Sequence, residues 1–420
     1  MSEERLALFG GEKAVTIPYV EGWRRITEKE KQIVSEMLER EEITGVPEVV
    51  REFEKEFAEF IGTRYALSQC NGTSTLLAAY FAAGVGPGDE VIVPSYTWHA
   101  SISPILHNNA IPVFCEIDPH TLTADPEDIR RKITPRTKAI CVVHMWGNVV
   151  KMDDIMEIAQ EHNLTVIEDC SHAHGAEYDG EKVGSIGHIG CFSLQGSKAM
   201  VAGEGGIVVT GDTELYERLL ICGHYGRIEG DLVTDRYRHL APPGIGYKFR
   251  AHPLAIGTAR VQLSRLAELN QKRTANFAYL DRELGKIKGI EPLTVYPKAK
   301  RGGFYGYRLI YHEEEVGVPR ERFIEALKAE GVDVSPCRYM IYHLHPLYQG
   351  YNFHGKGCPY NCPHMKEYQP PGEGSLPVTE DVYRRLLALP VFTEPPEGLL
   401  EQYVEAFRKV VENIDQLKTA

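Results

Sequence analysis

No stretch of the chain approaches the roughly 18 consecutive apolar residues that a membrane-crossing helix needs. The start, MSEERLALFGGEKAV, also lacks the basic-then-apolar pattern of a secretory signal, so a cytoplasmic protein is expected. Net positive charge is missing as well. The 59 acidic and 46 basic side chains leave a formal charge of −13, which disfavours nucleic acid or anionic membrane as a partner without preventing a local cationic pocket for phosphate. The cysteines make no even framework: nine are present, and Cys115, Cys141 and Cys191 lie inside apolar runs where a free thiol behaves as a small hydrophobe. Reduced thiols are expected. There is no internal repeat and no low-complexity tract, and 420 residues with 43% hydrophobic content can bury a sizeable core in one or two domains.

What is there centres on residues 166–210, VIEDCSHAHGAEYDGEKVGSIGHIGCFSLQGSKAMVAGEGGIVVT. An apolar run, Leu164 to Ile167, stops on Glu168 and Asp169, as a buried parallel strand does when its carboxyl end reaches a ligand crevice. A second run, Ile189 to Leu194, leads into Gln195-Gly196-Ser197-Lys198, and the turn Gly203-Glu204-Gly205-Gly206 feeds a third strand through Thr210. One carboxylate and one amine are thereby expected on neighbouring strand ends. A lysine in a partly dry crevice loses its proton near neutral pH and forms a Schiff base with an aldehyde. A nearby aspartate holds a pyridinium nitrogen protonated, the pairing that pyridoxal phosphate needs to act as an electron sink.

VIEDCSHAHGA, then FSLQGSK, then GEGG, in this order and spacing, resembles the DegT/StrS-type family of pyridoxal phosphate-dependent sugar and cyclitol aminotransferases, of the fold-type I class. The likeness runs from about Phe9 to about Val411. It implies an α/β fold: a doubly wound, mostly parallel sheet in a large cofactor-binding domain, followed by a smaller α+β C-terminal domain. Along this chain that reads as an arm over 1–22, the large domain over 23–265, and the small domain over 266–420 with an insert at 352–371. The residues agree with such an architecture. Thr27-Glu28-Lys29-Glu30 has the form of a capping box. Val49, Phe53, Phe57 and Phe60 recur at helical spacing, and strands at 91–93, 112–117, 139–144 and 165–167 alternate with helices near 125–132 and 152–162. A long helix is expected from about Pro253 to Leu280, a strand at 306–311, a helix at 319–330, a strand-like 332–334 and a final helix at 400–417.

The resemblance also implies roles. Lys198 carries the Schiff base and shuttles the proton; Asp169 pairs with the ring nitrogen; Trp98, in Pro94-Ser-Tyr-Thr-Trp98, stacks on the ring; and His172 lies against its 3-hydroxyl. Gly72, Thr73 and Ser74, small residues opening a helix after a short strand, are candidate phosphate donors at the helix's positive end, together with Ser193. The family's Gly-x-Asn-x-Arg, whose asparagine reaches the neighbouring subunit's phosphate, here reads Gly246-Tyr247-Lys248-Phe249-Arg250, with Lys248 in the asparagine's place. A homodimer with composite sites follows from that resemblance. Gln195, His343 and His345 are candidate substrate contacts. The insert's His354, Cys358, Cys362 and His364 are of zinc-ligand type, but the cysteine spacing is wider than Cys-x-x-Cys and no second pair exists, so a substrate-side loop and no metal are expected.

The implied reaction is ping-pong transamination from glutamine or glutamate to a ketone. Ser-Tyr-Thr-Trp98, the Ser193 to Lys198 segment and the long insert look closest to cyclitol aminotransferases acting on scyllo-inosose-type ketones, with nucleotide-linked ketosugars the alternative acceptors. Relatives with histidine in the lysine's place dehydrate their substrate, and Lys198 argues against that activity. A pyridoxal phosphate-binding regulator without turnover is the reading from another functional class.

Overall fold

The structure, a computed structural model, describes residues 4–337, 339–352, 355–361, 363–364 and 368–418. Seven strands form the main sheet: β1 (Tyr65–Gln69), β2 (Glu90–Pro94), β3 (Ile111–Cys115), β4 (Thr137–Val143), β5 (Thr165–Asp169), β6 (Ile189–Ser193) and β7 (Gly206–Thr210), in the spatial order β1-β7-β6-β5-β4-β2-β3. From β6 to β3 every pairing is parallel, and β7 alone runs against its neighbours β6 and β1.

Successive residues of the central strands feed opposite cores, which is why these runs are apolar throughout rather than alternating. Ile140, Val142, Val166, Phe192, Ile207 and Val209 pack on one face against Met37, Phe53, Phe57, Ile155 and Leu266. Ala139, Cys141, Ile167, Cys191 and Val208 pack on the other against Leu76, Tyr80, Ile105 and Leu220. The helices Glu28–Glu39, Glu48–Ile61 and Met152–His162 and the 32-residue helix Pro253–Leu284 supply the first layer; Gly72–Ala82, Ser103–His107 and Thr213–Gly223 supply the second. The Thr27–Glu30 capping box is present.

The long helix leads into a second, antiparallel sheet of β8 (Ile290–Pro292), β9 (Tyr307–Tyr311), β10 (Ser335–Pro336) and β11 (Leu386–Leu389), ordered β8-β9-β11-β10. Strand pairing near 332–334 begins at Ser335, one residue beyond the strand-like stretch. The last helical segment is Leu399–Glu412, followed by a separate short helix Asp415–Lys418 rather than one continuous helix. The segment Gly226 to Pro243, which has no sequence period, folds as short helical turns at Ile228–Asp231 and Arg238–Leu240.

The N-terminal residues dock on this second sheet and its helices. Leu6 and Val15 are buried among Phe323, Leu327 and Phe407. Glu330 accepts the backbone N–H groups of Ala7 (2.7 Å) and Ala14 (3.0 Å), and Lys409, itself buried, pairs with Glu330 at 3.0 Å. Glu21 accepts the N–H groups of Thr393 and Glu394 at 2.8 and 2.7 Å. Two carboxylates, Glu330 and Glu21, thus tie the arm down through backbone donors.

Candidate active site

Strands β5 and β6 are parallel neighbours, so their carboxyl ends open on one crevice. Asp169 ends β5; Lys198 lies in the loop that leaves β6 after Ser193 and turns back to β7. The loop is stiffened by its own backbone: Gly196 N–H donates to the Gly203 carbonyl at 2.8 Å and Lys198 N–H to that of Gln195 at 2.9 Å, with Gly203 at φ +90°, a value that favours glycine.

A cavity of about 370 Å³ lies here, and Gly72, Thr73, Trp98, Asp169, His172, Ser193, Gln195 and Lys198 all line it. Lys198 is buried, and loss of water pulls its amine from the ordinary 10.5 down to about 8, against the opposing pull of the Asp169 charge. Asp169 accepts the Ser101 hydroxyl at 2.7 Å and the Ser171 N–H at 3.1 Å. His172 is stacked on Tyr305 (ring centroids 4.1 Å apart, planes at 15°), and Tyr339 places its hydroxyl 3.2 Å from Nε2. Burial, then the positive charges of Lys198 and Arg308, hold His172 far below the usual histidine range, so its ring is neutral. Trp98, 46% exposed, stands against Tyr339 at 5.4 Å.

Below the cavity, Glu168 anchors the strand end. Its carboxylate accepts the N–H groups of Gly184, Ile186 and Gly187 at 2.9, 3.0 and 2.6 Å. His144 Nδ1 accepts the Val150 N–H at 3.3 Å, so Nε2 carries the proton and donates to Glu168 at 3.0 Å. Among the described residues, His144, Glu168 and Cys170 are a buried group of metal-ligand types. The imidazole and the carboxylate are already spent on these bonds.

At the opposite wall the helix Gly72–Ala82 begins. Asn71 caps it, accepting the Ser74 N–H at 2.7 Å, and the Ser74 hydroxyl donates to the Asn71 carbonyl at 2.7 Å. Ser74 is therefore a capping residue turned into the protein; it does not line the cavity. Gly72 and Thr73 remain, at the turn whose N–H groups a helix leaves without internal partners. A Cβ at Gly72 would come 2.7 Å from the Ser193 Cβ, so only glycine lets this turn close against β6.

Three other sequence candidates fall elsewhere. His343 is fully buried, with Nδ1 at 2.8 Å from the Ser95 hydroxyl and Nε2 at 3.0 Å from Glu380; both nitrogens are committed to packing, and the ring is outside the cavity. His345 caps the short turn Pro346–Tyr348, accepting the Leu347 N–H at 3.2 Å. Lys248 is exposed on a segment bridged to His224 and does not line the cavity. Of the insert expected as a substrate-side loop, Tyr360 and Cys358 pack with Leu106 and Ile111 at the β3 edge, and no described residue of 352–371 lines the cavity. His354 and Cys362 lie outside the described residues. Cys115, Cys141 and Cys191 are buried free thiols.

Conversely, the cavity contains residues that sequence reading passed over. Tyr305 brings its ring to 3.9 Å from Lys198 Nζ and shares a 2.9 Å hydrogen bond with Ser197. Tyr305 and Tyr339 come from loops of the second sheet's region, where nothing periodic marks them. Asn71 and Thr97 also line the cavity, and Ser101 stands behind it, bonded to Asp169.

Comparison with known proteins places the chain among aminotransferases. The chain is 39% identical over 298 residues to the L-glutamine:2-deoxy-scyllo-inosose aminotransferase of Streptomyces paromomycinus, covering 70% of each chain. Its structure resembles that of an aminotransferase from Psychrobacter cryohalolentis (TM-score 0.80, 30% identity, 95% of this chain and 100% of that one). It also resembles DesI determined in the presence of its TDP-sugar product (TM-score 0.77, 27% identity, 99% and 98%). With residues 24–408 matching the family model, the chain belongs to the DegT/DnrJ/EryC1/StrS aminotransferase family.

Proposed function

We propose that this aminotransferase uses pyridoxal phosphate to move an amino group from glutamine or glutamate to a keto-cyclitol by a ping-pong reaction, in the cytoplasm and as a homodimer. The observation that carries the reading is a buried lysine amine brought down to about 8 in the same cavity as a buried aspartate. The donor set fits the cofactor. Gly72, Thr73 and Ser193 form an anion-binding corner at a helix N-terminus, Trp98 and the neutral His172 offer flat walls, and Asp169 supplies fixed negative charge.

When bound, pyridoxal phosphate supplies an aldehyde and an electron-withdrawing ring. The chain supplies the rest. Lys198 Nζ, able to lose and regain a proton near working pH, is the nucleophile and afterwards the group that carries a proton to and from the substrate carbon. Asp169, backed by Ser101 and Ser171, holds charge where a ring nitrogen must stay protonated. Tyr305, Tyr339 and Trp98 wall the mouth, excluding water and offering aromatic faces to the carbon skeleton of a polyol.

The scyllo-inosose aminotransferase named above supports the cyclitol acceptor. The likeness to DesI with its TDP-sugar product supports nucleotide-linked ketosugars as the second reading. For assembly, Lys248 is exposed beside Ile245 and Tyr247, which are 46% and 45% exposed. Such apolar exposure around a cation supports a covering second copy whose cavity Lys248 completes.

The aminated form of the cofactor on purified protein, mixed with inososes and nucleotide ketosugars, is expected to return to the aldehyde form, followed by visible absorbance, with an inosose. Return with nucleotide ketosugars alone would replace the cyclitol reading. Cofactor binding with no return for any ketone, and no product with either donor, would make the protein a regulator.

A further inference from the structure

We infer that Thr97 and Ser101 are positioning residues: their hydroxyls form a relay that keeps the Asp169 carboxylate ionised and fixed in the cavity. The inference rests on the proposed pyridoxal phosphate chemistry and adds to it the device by which this chain sets the protonation of the ring nitrogen.

Asp169 is only 4% exposed, and three thiols surround it: Cys141, Cys170 and Cys191, all buried. Among the described residues no lysine, arginine or histidine makes an ion pair with Asp169 within 4.0 Å; such pairs occur instead at Glu168, Glu54 and Glu330. The carboxylate is therefore held by hydrogen bonds. Ser101 is the side-chain donor, at 2.7 Å, and the Ser171 N–H the backbone one, at 3.1 Å.

The direction of the relay follows from counting protons. An ionised carboxylate only accepts, so Ser101 gives Asp169 its one hydroxyl proton. The contact between Thr97 Oγ1 and Ser101 Oγ, 2.9 Å, is then donated by Thr97. Ser101 accepts as it donates, which strengthens the bond it gives. Both hydroxyls are shielded, Ser101 at 0% and Thr97 at 1% exposure, so bulk water does not compete. The turn is also held from behind: Tyr80 donates to the Ser101 carbonyl at 2.6 Å, and the Ser101 N–H donates to Trp98 at 3.0 Å. With Ser101 held on both sides of its backbone, its hydroxyl leaves the Asp169 carboxylate little freedom to rotate.

A donor to the carboxylate stabilises its charged form, so a proton shared between Asp169 and a ring nitrogen stays on the nitrogen. Removing the donor shifts that proton toward Asp169. The test uses full-length protein reconstituted with pyridoxal phosphate labelled with ¹⁵N in the ring, reading the nitrogen chemical shift and kcat. Wild type is expected to show a protonated nitrogen, and Asp169→Asn marks the unprotonated limit. Ser101→Ala should move toward that limit and lose roughly tenfold to a hundredfold in kcat, the range for a hydrogen bond to a charged group. Ser101→Thr should restore the wild-type signal, and Thr97→Val should shift part of the way.

A folded Ser101→Ala protein with the wild-type nitrogen signal overturns the relay, even if its melting temperature falls, because that combination marks a structural role only. Should Ser101→Ala fail to fold, an unshifted signal in Thr97→Val overturns it equally. If wild type and Asp169→Asn give the same nitrogen signal, the pairing of Asp169 with the ring is itself wrong, and the proposed chemistry falls together with the relay.

Discussion

Lys198 gives up its proton more readily than a lysine in water because burial removes the solvation of the ammonium, and Asp169 restores only part of that loss. The rate at which the apoprotein forms its adduct with pyridoxal phosphate should therefore rise with pH around a midpoint near 8, read by stopped-flow absorbance. A midpoint near the ordinary 10.5 would mean a solvated lysine. The same shift has a sign for stability. The folded value lies below the unfolded one, so between them the unfolded chain binds more protons; the penalty at this site is complete below about 8 and is relieved as pH rises to 10.5. Lys198 and Asp169 were legible in the sequence because each follows an apolar run that ends abruptly, and strand ends are where α/β sheets place ligands. His343 was misread for a plain reason: Ser95 and Glu380, which take its two nitrogens, are far from it in sequence. Tyr305 was invisible because only tertiary folding carries it to Lys198.

Between elements, His343 acts as a pin. It joins the exit of β2, through Ser95, to the helix Pro377–Arg385, through Glu380, which also accepts the Gly374 N–H at 2.8 Å. His343→Ala leaves the Glu380 carboxylate short of a partner in a buried place, a loss of about 1–3 kcal/mol. The expected outcome is a lower melting temperature with KM for the ketone near wild type, measured by calorimetry and steady-state assay; a large rise in KM would return His343 to the substrate. Strand positions in the main sheet could be read from apolar runs, but the reversed direction of β7 could not, because a strand buried on both faces looks alike in either sense. The strand β11 escaped for a related reason: Leu386-Leu387-Ala388-Leu389 continues an amphipathic helix with no turn former between them.

For the whole molecule, the proposed homodimer with Lys248 completing the second copy's cavity carries a prediction about pairing. Lys198→Ala and Lys248→Glu variants, each weak alone, would be unfolded and refolded together, so that random pairing makes about half the dimers mixed. In a mixed dimer one site receives both lesions and the other neither, and activity should recover to roughly one quarter of wild type. If the mixture stays inactive despite confirmed subunit exchange, Lys248 acts within its own chain or only in folding.

The docking of the arm also fixes an order of events during synthesis. Leu6, Ala7, Ala14 and Glu21 are made more than 300 residues before the groups that hold them, Glu330, Thr393, Phe407 and Lys409. Likewise β1 gains its place in the sheet only through β7, which follows it by some 140 residues. Residues 6–21 and β1 must therefore wait for their partners while the middle of the chain is made. A nascent chain stopped before the helix Leu399–Glu412 would hold residues 6–21 without the surface they dock on, open to mispairing.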